Sequence, residues 1–131
     1  MSDLSFDALE QAIAAIEQGL TEHAQYPQLL TVRDGVIQRF EVALDVSQKL
    51  MKRVLREVYQ MEPARIAKNT AREAADIGLI ADAEAWIGYI DARNDTSHTY
   101  NAEVAGRVFA QVPSFLADAR DLLKRLNDAT R

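Results

Sequence analysis

The sequence predicts an all-α fold, an antiparallel up-and-down bundle of four main helices plus a short one. Three observations carry that prediction. Apolar residues make up 48% of the 131 positions, enough for a packed interior. They recur at three-to-four spacing over long segments, as helices with one buried face require. No run alternates β-branched and polar residues as a strand would. At this length residues 1–131 read as a single domain, with no internal repeat or low-complexity segment.

The first helix is expected over residues 4–20. Leu9, Ile13, Ile16 and Leu20 share a face, Asp3 or Ser5 stands ready as a cap, and residues 22–28 read as a loop. The second helix, residues 28–59, is the central rod. Val32, Val36, Phe40, Ala43, Leu44, Leu50, Val54 and Val58 form its stripe, and Ile37, Met51 and Leu55 widen it toward a second neighbour. Gly35 lowers its propensity without breaking the pattern. Pro63 suits the first turn of a short third helix, which ends at Gly78, a residue free to adopt the left-handed C′ conformation. Asp82 caps a fourth helix carrying Ala85, Trp86, Tyr89 and Ile90, and Asn101 caps a last helix reaching residue 127. Pro113 is expected to kink or restart that last helix.

Several chemistries are excluded or disfavoured by composition. Without cysteine there is no disulfide, zinc-thiolate site or thiol nucleophile. Two distant histidines give no metal-ligand cluster, and the isolated glycines make no phosphate loop, so neither metal nor cofactor is expected. No stretch approaches the roughly 20 apolar residues of a membrane-spanning helix. No basic, apolar leader opens the chain, so a cytoplasmic protein is expected. The net charge of −5 argues against a broad nucleic-acid coat, and no DNA partner is expected. The charge is uneven, however. Residues 49–72 carry Lys49, Lys52, Arg53, Arg56, Arg65, Lys68 and Arg72 against Glu57 and Glu62. Such a run either focuses a polyanion or forms the solvated faces of two helices.

The densest chemistry lies between the fourth and fifth helices, in Arg93-Asn94-Asp95-Thr96-Ser97-His98-Thr99-Tyr100. On an unbroken helix five residues turn by about 500°, which leaves Arg93 and His98 roughly 140° apart. They converge only if the helix ends or loosens between them, or if a second subunit completes the site. Asp95, Thr96 and Ser97 are residues that favour such a break. An arginine can grip a phosphate through two parallel hydrogen bonds, and a histidine can move a proton to or from a ribose hydroxyl. A tyrosine such as Tyr100 can stack on a base, or be modified. The alternative is a capping and ion-pair arrangement at a helix end.

Other candidates are weaker. His23 is read as an exposed loop residue, and Asp91 and Asp95 as helix-surface acids. Trp86 and Tyr89 belong to the core or to a dimer contact, with stacking on a base as the alternative. Glu41 and Arg39 either line the cleft near the motif or form surface pairs.

The Arg93-x-x-x-x-His98-x-Tyr100 pattern, with polar Asn94 after the arginine, resembles the signature of HepT-like proteins of the HEPN superfamily. The segments Arg33-Asp34 to Phe40-Glu41 and Glu73 to Ile80, the latter followed by Trp86, are similar to the same family, and the resemblance spans about residues 6–128. It implies a homodimer with two Arg–His motifs lining one cleft, and an RNA substrate, tRNA among the candidates. It also implies a toxin–antitoxin pairing with a minimal nucleotidyltransferase of the MntA type. On that pattern Arg93 and His98 are the ribonuclease pair and Tyr100 the residue that accepts AMP. Asn94, Asp95, Thr96 and Ser97 support the motif. The alternative within the same resemblance is a non-catalytic subunit that serves a nucleotidyltransferase. Apolar faces for a dimer are expected from the wide stripe of the second helix and from Phe109, Phe115 and Leu116.

Overall fold

The computed structural model describes residues 4–131. These form five α-helices: α1 (Asp7–Gln25), α2 (Leu30–Glu57), α3 (Ala67–Asp76), α4 (Ala83–Asp95) and α5 (Ala102–Ala129). A 3₁₀ turn, Thr96–His98, joins α4 to α5. No strand occurs among the described residues. The expected all-α bundle of four longer helices and one short one is what forms.

Packing follows the apolar stripes. Helix α2 is the hub, touching α1 along its length and α5, α3 and α4 on other sides, as its wide stripe requires. Val36, Phe40, Ala43, Leu44, Val54 and Leu55 are fully buried there. The α1–α2 approach is close at Gly19, where an added Cβ would stand 3.0 Å from Val36 Cγ2 and 3.1 Å from Arg39 Nη1. At the centre Phe115 of α5 meets Phe40, Trp86 and Tyr89 edge-on, at centroid separations of 5.0, 5.6 and 5.3 Å. Trp86 and Tyr89 are thus core residues, which leaves them no base-stacking role.

Several boundaries differ from the sequence reading. Helix α1 starts at Asp7 and runs on to Gln25, so residues 22–25 are helical rather than loop. Ser5 Oγ does accept from Asp7 N, at 3.3 Å, while Asp3 lies outside the described residues. Helix α2 ends at Glu57, where Gln60 takes a left-handed φ of 56° and Met61 N donates to Leu55 O. Pro63 is buried in a lead-in and does not open α3. The cause is side-chain capture: Glu73 accepts from Ala64 N at 2.9 Å, and Thr70 Oγ1 donates to Ala64 O at 3.0 Å. These bonds hold residues 64–66 out of the helix.

Gly78 behaves as expected. With φ +81° it closes α3 in a Schellman motif, Leu79 N donating to Ala74 O and Gly78 N to Ala75 O. Asp82 and Asn101 cap α4 and α5, each accepting from two backbone amides of the first turn. Pro113 does not restart α5, which is continuous across it. Its ring lies on the exposed face, where the Phe109 carbonyl that loses a donor can turn toward water.

Candidate functional site

The helix break expected between Arg93 and His98 is present. Helix α4 ends at Asp95, and the next three residues tighten into the 3₁₀ turn. Thr96 makes the break. Its hydroxyl donates to Arg93 O at 2.7 Å, taking up a carbonyl at the helix end, and accepts from Arg93 Nη1 at 3.2 Å. A buried threonine therefore fixes both the backbone and the guanidinium of Arg93. Thr99 Oγ1 bonds Thr96 O at 3.1 Å, and Asn101 N bonds His98 O at 3.0 Å, which seats the turn against the start of α5.

Arg93 reaches across to α2. Nη1 lies 3.1 Å from Glu41 Oε2, and Nη2 lies 3.4 Å from Asp45 Oδ2. Glu41 and Asp45 are four residues apart, so one face of α2 presents both carboxylates. Two carboxylates against one guanidinium leave the cluster with one net negative charge. Arg93 Nε is buried and has no hydrogen-bond partner. The side chain is thus clamped on its Nη edge, with a donor in reserve.

Beyond the break the residues face outward. His98 is exposed, and Tyr100 is 86% exposed, its ring edge-on to the His98 ring at 6.0 Å. Asn94, Asp95 and Ser97 are exposed. Among them only Ser97 is tied to Asn94, through a long 3.5 Å contact to its carbonyl. Of the predicted site residues, the fold joins Arg93 to Thr96 and His98 to Tyr100. No hydrogen bond or ion pair joins Arg93 to His98.

The weaker candidates resolve individually. Glu41 stands beside the motif, paired with Arg93, whereas Arg39 does not: its Nη1 donates to Ala15 O at 2.9 Å and ties α2 to α1. Asp91 is paired with Lys68 at 2.7 Å. His23 sits in the last turn of α1, half-buried with its ring 4.4 Å from that of Phe109, and so is not an exposed loop residue. Phe115 and Leu116 are buried within the chain, as is most of the α2 stripe, so they cannot supply a dimer face. Val42, 51% exposed between Glu41 and Asp45, is the apolar residue left outward beside the site. Asp45 escaped the sequence reading. Its only signal was the Glu41-x-x-x-Asp45 spacing. Among the described residues no group of three or more His, Asp or Glu is placed to hold a metal ion. No described helix is long and apolar enough to cross a membrane.

Comparison with known proteins places the chain. Residues 4–128 match the family described as "Nucleotidyltransferase substrate binding protein like". The chain belongs to that family. It is 38% identical over 129 residues to a Haemophilus influenzae protein named "Probable ribonuclease HepT", covering 95% of this chain and 88% of the relative, which marks it as HepT-like. The fold is similar to a solved H. influenzae structure described as the fold of a substrate-binding domain of a nucleotidyltransferase. That match has a TM-score of 0.82 and 32% identity, covering 94% of this chain and 99% of the other. A Thermus thermophilus crystal structure also matches, with a TM-score of 0.78 and 31% identity over 90% of this chain and 98% of that one.

Proposed function

We propose that this HepT-like chain is a metal-independent endoribonuclease, the toxin of a two-gene pair, that acts as a homodimer. Its cognate minimal nucleotidyltransferase silences it by transferring AMP to Tyr100. The observation that carries the reading is the interrupted helix end, which holds Arg93 against α2 and turns His98 and Tyr100 outward together. The ribonuclease name of the 38% identical relative supports the same chemistry.

The reaction needs a ribose 2′-oxygen to attack the adjacent phosphorus while the bond to the 5′-oxygen breaks. His98 takes the 2′-hydroxyl proton or protonates the departing oxygen, and Arg93 offsets the charge that builds on the phosphate oxygens. Asp45, the longer of the two carboxylate contacts at 3.4 Å, is the one a phosphate oxygen displaces from Arg93. Because one cluster carries a net negative charge, it attracts phosphate poorly by itself. A second motif facing it would supply the missing positive charge, and the exposed Val42 offers apolar contact there.

AMP on Tyr100 would add bulk and negative charge beside His98 and bar the strand from the cleft. The 86% exposure of Tyr100 suits a residue that must enter another enzyme's active site.

The test is cleavage of RNA by the purified chain, with growth arrest on induction as a second readout. Arg93→Ala and His98→Ala are expected to lose both while keeping the helical circular dichroism of the parent. Tyr100→Phe is expected to arrest growth but escape silencing by the nucleotidyltransferase. Parent-like cleavage by both the Arg93 and His98 variants would refute the reading.

A second reading has its own support. Two carboxylates already engage Arg93, and the H. influenzae fold relative is described as a substrate-binding domain. On this reading the chain is an accessory subunit that presents Tyr100, or a substrate, to the nucleotidyltransferase. It predicts no cleavage by a folded parent chain, together with AMP transfer that needs Tyr100.

A further inference from the structure

The polar face of α2 changes sign along its length. Toward its N-terminus it carries Asp34, Glu41 and Asp45, the last two holding Arg93. Its second half carries Lys49, Lys52 and Arg56, at four, seven and eleven residues after Asp45. At 100° per residue these three lie within about 40° of the Asp45 direction, so they extend the same strip of surface. Lys49 and Arg56 are exposed and Lys52 half-buried. None of the three forms an ion pair with a described acid, whereas Arg53 is taken by Glu57 at 2.9 Å and Lys68 by Asp91 at 2.7 Å. The strip runs about 16 Å from Asp45 to Arg56. It sets three uncompensated cations directly beside a cluster that carries net negative charge.

We propose that Lys49, Lys52 and Arg56 bind successive backbone phosphates of an RNA strand and lead it to Arg93. This rests on the ribonuclease reading above and adds where the strand lies relative to the cut. Charge complementarity selects the occupant. In a chain of net charge −5, three unpaired cations aligned on one helix face answer a regularly spaced polyanion. The arrangement contacts phosphates and no base edges, so the strip contributes affinity and register without sequence preference.

The test uses the full chain and a short, fluorescently labelled single-stranded RNA carrying 2′-O-methyl groups, which cannot be cut. Binding is followed by anisotropy between about 50 and 200 mM salt. The combined variant Lys49→Gln, Lys52→Gln, Arg56→Gln is compared with Lys124→Gln, which removes an exposed cation from α5. Each lost phosphate contact lowers the slope of log affinity against log salt by about 0.7, so the triple variant should lose about 2. Its affinity near 0.1 M salt should fall on the order of 100-fold, with Lys124→Gln close to the parent. Equal slopes for the triple variant and the parent would overturn the strip. So would an altered dimer mass or weaker retention of the nucleotidyltransferase with an unchanged slope, since the strip would then serve a protein surface. Cleavage of unmodified RNA by Arg93→Ala is measured alongside. Retained cleavage there and in His98→Ala condemns the ribonuclease assignment, whereas lost cleavage with an unchanged triple-variant slope condemns only the strip. A parent that binds no RNA at any salt condemns both.

Discussion

On the proposed reading Arg93 is the residue on which the chemistry turns, and its surroundings set two opposing requirements. Glu41 and Thr96 hold its guanidinium at 3.1 and 3.2 Å, which fixes where a phosphate must sit, yet each carboxylate nearby weakens phosphate binding. Replacing Glu41 by Gln should therefore separate the two effects. The variant is expected to bind uncleavable RNA more tightly than the parent but to cut more slowly, because a less constrained Arg93 spends less time where charge develops. A fall in both binding and rate would instead assign Glu41 a direct role on the substrate. The sequence disclosed part of this site. The run Asp95-Thr96-Ser97 announces a helix break through its competing side-chain hydrogen bonds, so the separation of Arg93 and His98 onto two elements was foreseeable. The contact with Asp45 was not, since it joins residues 48 apart and depends on how α4 crosses α2.

Among the helices, the same chemical change has opposite consequences at two glycines. Gly35 is inside α2 with nothing within 4 Å of where a Cβ would stand, so Gly35→Ala should stabilise by up to about 1 kcal/mol through helix propensity. Gly78 also has open space, but its φ of +81° is required for the two Schellman hydrogen bonds that end α3. Gly78→Ala should cost about 1 kcal/mol or more. Urea titrations of the two variants decide this, and midpoints displaced in the same direction would contradict it. Local signals of this kind made the caps at Asp82, Asn101 and Gly78 readable from sequence. The helix start expected at Pro63 and the restart at Pro113 failed for non-local reasons. At Pro63 the lead-in is held by Glu73 and Thr70 from a turn or two further on. At Pro113 a helix already packed on α1, α2 and α4 continues through, the lost bond lying on its outer side.

For the whole molecule, the tie between α4 and α5 sets how the bundle responds to alkali. Tyr89 is 4% exposed in the aromatic centre, and its hydroxyl donates to Asp118 on α5. Burial first, and then the bond to a carboxylate, raise the Tyr89 phenol above the ordinary value of 10.0. The sign follows from proton counting. Below about pH 10 the phenol is protonated in both folded and unfolded chains, and the bond contributes in full. Above it the unfolded chain releases the proton while the folded one keeps it, so stability falls as pH rises. Tyr89→Phe removes both the bond and the titration. At neutral pH it should cost about 1 to 2 kcal/mol, because Asp118 loses its donor. That deficit should shrink as pH climbs past about 10, where keeping Tyr89 protonated begins to destabilise the parent. Parent and variant differ at this one side chain, so the difference between them isolates Tyr89. Urea unfolding of parent and variant at about pH 7 and about pH 11 measures it. A gap that stays constant across that range would show that the fold does not hold the Tyr89 proton.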